Sequence, residues 1–239
     1  MKAILNFFLS IRTAYWFFVF FAVIMLWGSI ALPGNLAFFS GIDDTPLFRW
    51  LSEAGNIGTT WWIYGLIAGL GLFALNTLVC TGEALLFRVG RINTIARLSP
   101  QIMHVGVLFV MLGHLLTASM GMKLDLDIRQ GETKLVAEGA AITLVSVREE
   151  LDANGYAVDW EAVLRWSNGG KTGEVRSLRP AHPLHMGSYG IFSKSVNVDN
   201  KGSSALIRVS RDPGAPWALL GGVLLCLGGA GFVLARMNG

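Results

Sequence analysis

The amino-acid sequence predicts a membrane protein with four transmembrane α-helices and one external, mainly β domain between the third and the fourth. Three observations carry that expectation. Of the 239 residues, 53% are hydrophobic and only 15% charged, which is too apolar for an ordinary water-soluble domain. Four runs lack Asp, Glu, Lys and Arg: Ala14–Leu32, Trp61–Gly82, Ile102–Met122 and Pro216–Ala235. Each reaches the roughly 20 residues a helix needs to cross about 30 Å of hydrocarbon. Between the last two lies the one stretch long and polar enough for a soluble domain, residues 123–212.

The first run exceeds the apolar core of a secretory signal, about 7 to 15 residues, and no small-x-small cleavage site follows, so it is expected to stay as a permanent helix. Orientation follows from the basic residues of the short connections. Lys2 and Arg12 precede the first span, Arg88, Arg91 and Arg97 lie between the second and third, and Arg236 follows the fourth. Those sides are expected to be cytoplasmic, in a multi-pass protein of the cytoplasmic membrane with both termini inside. The connection Pro33–Thr60, with Arg49 against Asp43, Asp44 and Glu53, is placed outside as a loop. On the second span Gly65 and Gly69 are spaced for close helix packing, and on the fourth Gly222, Cys226 and Gly229 make a narrow stripe.

Residues 1–122 are thus read as three spans with short loops, 123–212 as the external domain, and 213–239 as the fourth span and a cytoplasmic tail. Within the domain "AITLVSVREE", "YAVDWEAVLRWSN" and "SALIRVSR" alternate apolar and polar residues with period two, separated by "NG" and "NGG" turns. Antiparallel strands are expected there. Cys80 and Cys226 both fall inside spans, so neither is expected to form a structural disulfide. There is no CxxCH, so the chain carries no covalent haem of its own. A net charge of +3 raises nucleic acid as a partner, but the basic residues form no cluster with interleaved aromatics, and none is expected. No Ser-His-Asp arrangement, phosphate-cradling glycine loop or zinc motif supports hydrolytic or nucleotide chemistry.

The third span carries two histidines, His104 and His114. Ionisable groups in hydrocarbon are costly and face the bundle interior or a functional site, and a neutral imidazole is an available axial ligand for haem iron. The bland alternative is a hydrogen bond to a neighbouring helix. One helix sets the two rings about 15 Å apart along its axis and about 80° apart around it, so they cannot clamp a single iron. No other expected span holds a histidine, so a second axial ligand requires a partner protein or another copy. Arg91 and Arg97, just before His104, are candidates for pairing with carboxylates such as haem propionates; the alternative is that they only set topology. His182 and His185, in "RPAHPLHMGSYG", are separated by a proline and read as loop residues.

Taken in order, the motifs resemble the ResB/CcsB family of cytochrome c biogenesis proteins, of the System II haem transport and attachment machinery. "LSIRTAYWFFVFFAVIMLWGSIALP", with Ser10, Thr13, Gly28 and Pro33, resembles the family's opening helix. "LNTLVCT" resembles its N-x-x-x-C-T through Asn76, Cys80 and Thr81, and "HVGVLFVMLGHLL" its histidine-led glycine helix through His104, Gly106 and Gly113. "DIRQGET" resembles the segment that opens the external domain, and "RDPGAPWALLGGVLLCLGG" the DPG-led final helix.

The resemblance implies that His104 is a transmembrane haem ligand; His114 departs from the family pattern and inherits no role. It also implies haem b in transit, shared with a partner subunit of the CcsA/ResC type that carries the WWD loop absent here, and apocytochrome c as acceptor. The chain would be the non-catalytic or accessory half of a haem-attachment complex of the cytochrome c synthase type. Its external domain is compact beside the longer ones common in the family. A rival reading is a b-type cytochrome subunit of a quinone-linked electron-transfer complex, with His104 and His114 serving two haems.

Overall fold

A computed structural model describes residues 7–87, 94–137, 139–155, 157–168, 171–199 and 202–237. The chain divides into two compact units, one of residues 1–42, 46–119 and 213–239, the other of 43–45 and 120–212.

The first unit holds four helices long and apolar enough to cross a membrane. They are α1 (Ile11–Gly34), α3 (Ile57–Phe87), α4 (Thr94–Met120) and α5 (Ala215–Met237), with a short α2 (Leu47–Ala54) between α1 and α3. In α1 only Thr13, Ile24 and Gly28 are buried, while Leu26 and Ile30 are largely exposed. A helix apolar all round with so little covered is suited to lipid rather than water.

The third expected span starts earlier and ends sooner than its hydropathy implied. α4 continues through Pro100, with the Ser99 hydroxyl donating to the Ile95 carbonyl at 2.7 Å. Met122 instead opens the first strand. The connection between the first two spans is not a plain loop, because α2 starts after Pro46 and stops at Gly55, whose φ of 63° supplies the left-handed cap. It buries Trp50 and Leu51 and exposes the ion pair Arg49–Glu53. Trp50 stacks on Phe39 at 5.6 Å, in a cluster with Ile24, Trp62 and Ile63.

Glycine sets how closely the helices approach. A Cβ on Gly69 would lie 2.5 Å from the Phe20 ring, and one on Gly28 2.8 Å from Trp62, so α1 and α3 meet where their neighbours have no side chain. Gly65 meets only Ile24, at an ordinary 3.5 Å. α4 and α5 share a longer seam, in which Gly113 faces Gly214 and Ala218, Gly106 faces Gly221, and Ser99 faces Gly228. The small residues recur every seventh position on both helices and run antiparallel. The stripe expected on the last helix is therefore displaced by one residue: a Cβ on Gly222 or Gly229 would meet no neighbouring element among the described residues within 4 Å, and Cys226 is exposed. One position is about 100° of helical rotation, enough to exchange the packed face for an open one. Phe109 and Trp217 stack across the seam at 5.8 Å.

The second unit is built from two antiparallel four-stranded sheets, β1-β8-β7-β6 and β2-β3-β4-β5. The strands are β1 (Met122–Arg129), β2 (Thr133–Ala137), β3 (Ala140–Leu151), β4 (Ala157–Asn168), β5 (Lys171–Leu178), β6 (Leu184–Met186), β7 (Tyr189–Asp199) and β8 (Gly202–Arg211). The three alternating sequence pieces correspond to β3, β4 and β8. Their inward residues, with those of β1 and β7, form one apolar core that includes Ile128, Ile142, Leu144, Ile191, Ile207 and Val209. The Trp160 Nε1–H donates to Ser193 Oγ at 2.8 Å and ties β4 to β7. The "DIRQGET" segment is the β1–β2 turn: Gly131 has a φ of 82°, which favours glycine, and Glu132 Oε2 accepts the Arg129 N–H at 2.9 Å. On the outer face Arg208 makes a two-pronged bond to Asp125, 2.6 Å on each prong, and holds that carboxyl below the usual carboxylate range.

Candidate functional site

In the helical unit, polar side chains gather in a groove of about 480 Å³ lined by the start of α1, by α3 and by α4. Helical spacing explains the gathering. Phe73, Asn76, Thr77, Cys80, Glu83 and Ala84 recur at intervals of three and four along α3 and so share one face. On α4, Gln101, His104 and Val107 follow one another at intervals of three. The α1 side adds Leu9, Ser10, Ile11, Ala14 and Phe18, which keep that wall mostly apolar.

His104 is half-buried, and its Nδ1 lies 3.3 Å from the Thr81 hydroxyl. Thr81 is itself buried, so this contact bridges α3 and α4 away from bulk solvent. The seam explains the direction: His104 lies about 160° around α4 from Gly106, so the face packed on α5 and the face carrying the imidazole are opposite. A hydroxyl can donate or accept. When it accepts from Nδ1–H, Nε2 keeps the lone pair a metal needs. One turn earlier, Gln101 Oε1 is buried with no hydrogen-bond partner among the described residues, an acceptor that a donor in the groove would satisfy.

The other residues singled out in the sequence are distributed differently. His114 is exposed, and its Nδ1 lies 2.8 Å from the Val110 carbonyl on the same helix. Because a carbonyl only accepts, the proton is on Nδ1. His114 is not among the lining residues of the groove. Arg97 is half-buried, seven residues before His104 on α4, and Arg91 lies outside the described residues. His182 and His185 are exposed in the β unit, where the His182 backbone N–H donates to the Arg179 carbonyl at 3.1 Å. Neither cysteine is joined in a disulfide among the described residues. Among the described residues, no three His, Cys, Asp or Glu side chains converge as a metal site.

Sequence reasoning passed over Gln101, and took Ser10, just before α1, only as part of a motif. It also left open what Asn76, Cys80 and Thr81 bond to. Asn76 Nδ2 donates to the Phe8 carbonyl at 2.5 Å, and Cys80 Sγ to the same oxygen at 3.2 Å. The available signal was four polar residues, Asn76, Thr77, Cys80 and Thr81, inside two turns of an otherwise apolar helix.

No family model matches the chain, and no curated protein matches it. Among solved structures, one titled "Cytochrome c Heme Lyase CcmF" is similar to it over 69% of this chain, at 18% sequence identity and a TM-score of 0.45. The similarity covers 29% of that chain, so this one spans less than a third of its length.

Proposed function

We propose that the chain is a membrane subunit that handles haem for cytochrome c biogenesis, with His104 as its transmembrane axial ligand. The observation that carries the reading is the groove itself. It presents one imidazole, held at one ring nitrogen by Thr81, beside the unpaired Gln101 Oε1 and a mostly apolar wall. Its volume falls within the range of small-molecule sites, about 300–1,000 Å³. The order of motifs that resembles ResB/CcsB supports the same reading.

Haem, as cargo, brings an iron that accepts an imidazole and vinyl groups that accept the thiols of an apocytochrome. The work of this chain is to bind, orient and shield it. Thr81 orients the ring of His104, Gln101 offers an acceptor, and the α1 side excludes water. Arg97 and Arg91 are the candidates for pairing with propionates. With one imidazole in the groove, the second axial ligand would come from a CcsA/ResC-type subunit. The basic short connections support a topology with both termini cytoplasmic and residues 123–212 external, where the β unit would meet apocytochrome c. The two-haem electron-transfer reading is the less favoured because His114, although its Nδ1 is likewise held, by the Val110 carbonyl, does not line the groove.

The test compares His104→Ala and His114→Ala, each purified in lipid nanodiscs with the partner subunit and read by haem content and absorption spectrum. His104→Ala should lose most of the haem and regain it when imidazole is added, while His114→Ala should stay close to the parent. Equal loss in both variants favours the electron-transfer reading, and an unchanged spectrum in His104→Ala overturns the ligand assignment.

A further inference from the structure

The helical ladder is interrupted just before α1. Ser10 is extended, with φ −82° and ψ 126°, and its side chain makes no capping bond. The first amides of α1 turn to Ser10, with Thr13 N–H and Ala14 N–H at 3.0 and 3.4 Å from its carbonyl. In an unbroken helix the Phe8 carbonyl would accept the Arg12 N–H; the break withdraws it from the ladder. Where a span meets the bilayer, a backbone carbonyl so withdrawn needs side-chain donors.

α3 supplies two. Asn76 and Cys80, one turn apart, donate to that single oxygen at 2.5 and 3.2 Å, and the two lone pairs of a carbonyl accommodate both. On the near side, Thr13 Oγ1 donates to the Phe7 carbonyl at 2.7 Å. The next residues of the chain, Leu9, Ser10 and Ile11, line the groove together with Asn76, Cys80 and His104. Asn76 is almost fully buried, so its amide is committed to the backbone rather than to solvent.

We propose that Asn76 and Cys80 are positioning residues that stitch the strap of residues 7–10 to α3 and so hold one wall of the groove lined by His104. On this account the thiol of Cys80 acts as a hydrogen-bond donor to the backbone. The consequence for haem rests on the function proposed above; the stitch itself does not.

The experiment uses the full chain in lipid nanodiscs, without haem. Alkylation of Cys80 by N-ethylmaleimide is followed by site-resolved mass spectrometry, with Cys226, exposed on α5, as an internal reference. Asn76→Ala, and Asn76→Leu whose side chain is close in size but cannot donate, should speed Cys80 alkylation about five- to tenfold, the effect of losing one hydrogen bond. Cys226 should react at the parent rate. Thr13→Val should move Cys80 in the same direction. An unchanged Cys80 rate in both Asn76 variants overturns the stitch, and so does a parallel rise at both cysteines, which marks general loosening.

A second arm loads haem and follows its loss by the absorption band. Cys80→Ala should release haem faster, whereas Cys80→Ser, whose hydroxyl reaches the same carbonyl, should match the parent. Equal behaviour of the two overturns the donor role of Cys80. A parent that takes up no haem refutes the haem reading alone and leaves the alkylation result to judge the stitch.

Discussion

Gly221 and Gly222 are neighbours on α5, yet alanine should have opposite consequences at the two positions. A Cβ on Gly221 would lie 2.5 Å from the Gly106 carbonyl oxygen and 2.7 Å from the Val110 amide nitrogen, both backbone atoms of α4. Ordinary contacts need well over 3 Å, so the two helices must part by roughly 1 Å. A gap of that size forfeits about a quarter to a half of each dispersion contact along the seam, and overpacking of this kind costs about 1–3 kcal/mol. A Cβ on Gly222 would meet no neighbouring element among the described residues within 4 Å, so alanine there brings only the better helix propensity, about 0.5–1 kcal/mol. That gain is common to both variants, and the difference between them isolates the steric cost. The assay is reversible unfolding of the full chain in mixed micelles of increasing denaturing detergent, followed by circular dichroism. Gly222→Ala should unfold later than the parent and Gly221→Ala earlier than Gly222→Ala by about 1–3 kcal/mol. Coincident curves, or a lower midpoint for Gly222→Ala, would show that the seam has been assigned to the wrong face.

Thr81→Val keeps the shape of the side chain but removes the hydroxyl beside His104 Nδ1, and should weaken haem binding about 10- to 100-fold, as loss of a ligand-orienting partner does; Thr81→Ser should restore it, and equilibrium haem titration of the three proteins decides. Asp125 has a folded pKa depressed first by its bond to Arg208, so its contribution is fully present above the unfolded carboxylate pKa of about 4 and is lost as pH falls through the lower folded value. The pair is exposed and screened by solvent, so the effect is small. Stability curves of the parent and Asp125→Asn should run parallel near neutral pH and converge in acid, and parallel curves throughout would remove the pair from the account.

What could be read from the sequence was what depends on local pattern. An apolar run without charges has one economical structure in lipid, so the four long helices were legible, but their ends were not: α4 starts at Thr94, well before the apolar run that begins at Ile102. Period two exposed β3, β4 and β8 because each buries one face against a single core. α2 was missed since eight residues give barely two turns, and the segment was read only through the charges that place it outside, Arg49, Asp43, Asp44 and Glu53; Pro46 and Gly55 at its two ends were the overlooked signs. The glycine stripe on α5 was placed one residue off because Gly221 and Gly228 sit beside Gly222 and Gly229, and only the matching series Ser99, Gly106 and Gly113 on α4 decides between them. At the groove, His104 was conspicuous as an ionisable group in an apolar run. The bonds that give its neighbours meaning join residues 23, 68 and 72 positions apart, and separations of that kind leave no trace in local periodicity.

The pairing of Met122 with Arg211 across β1 and β8 bears on how the helical unit could have acquired its β unit. The first and last strands are hydrogen-bonded neighbours, so the chain leaves the domain about 5 Å from where it came in. To the two helices on either side, the whole folded insert is geometrically equivalent to a tight turn, and the entropy of closing that connection is set by two paired residues rather than by the length of chain between them. Such an insert can be enlarged, shortened or exchanged without altering the spacing of α4 and α5. It is a cassette, closed by the pairing of its own first and last strands.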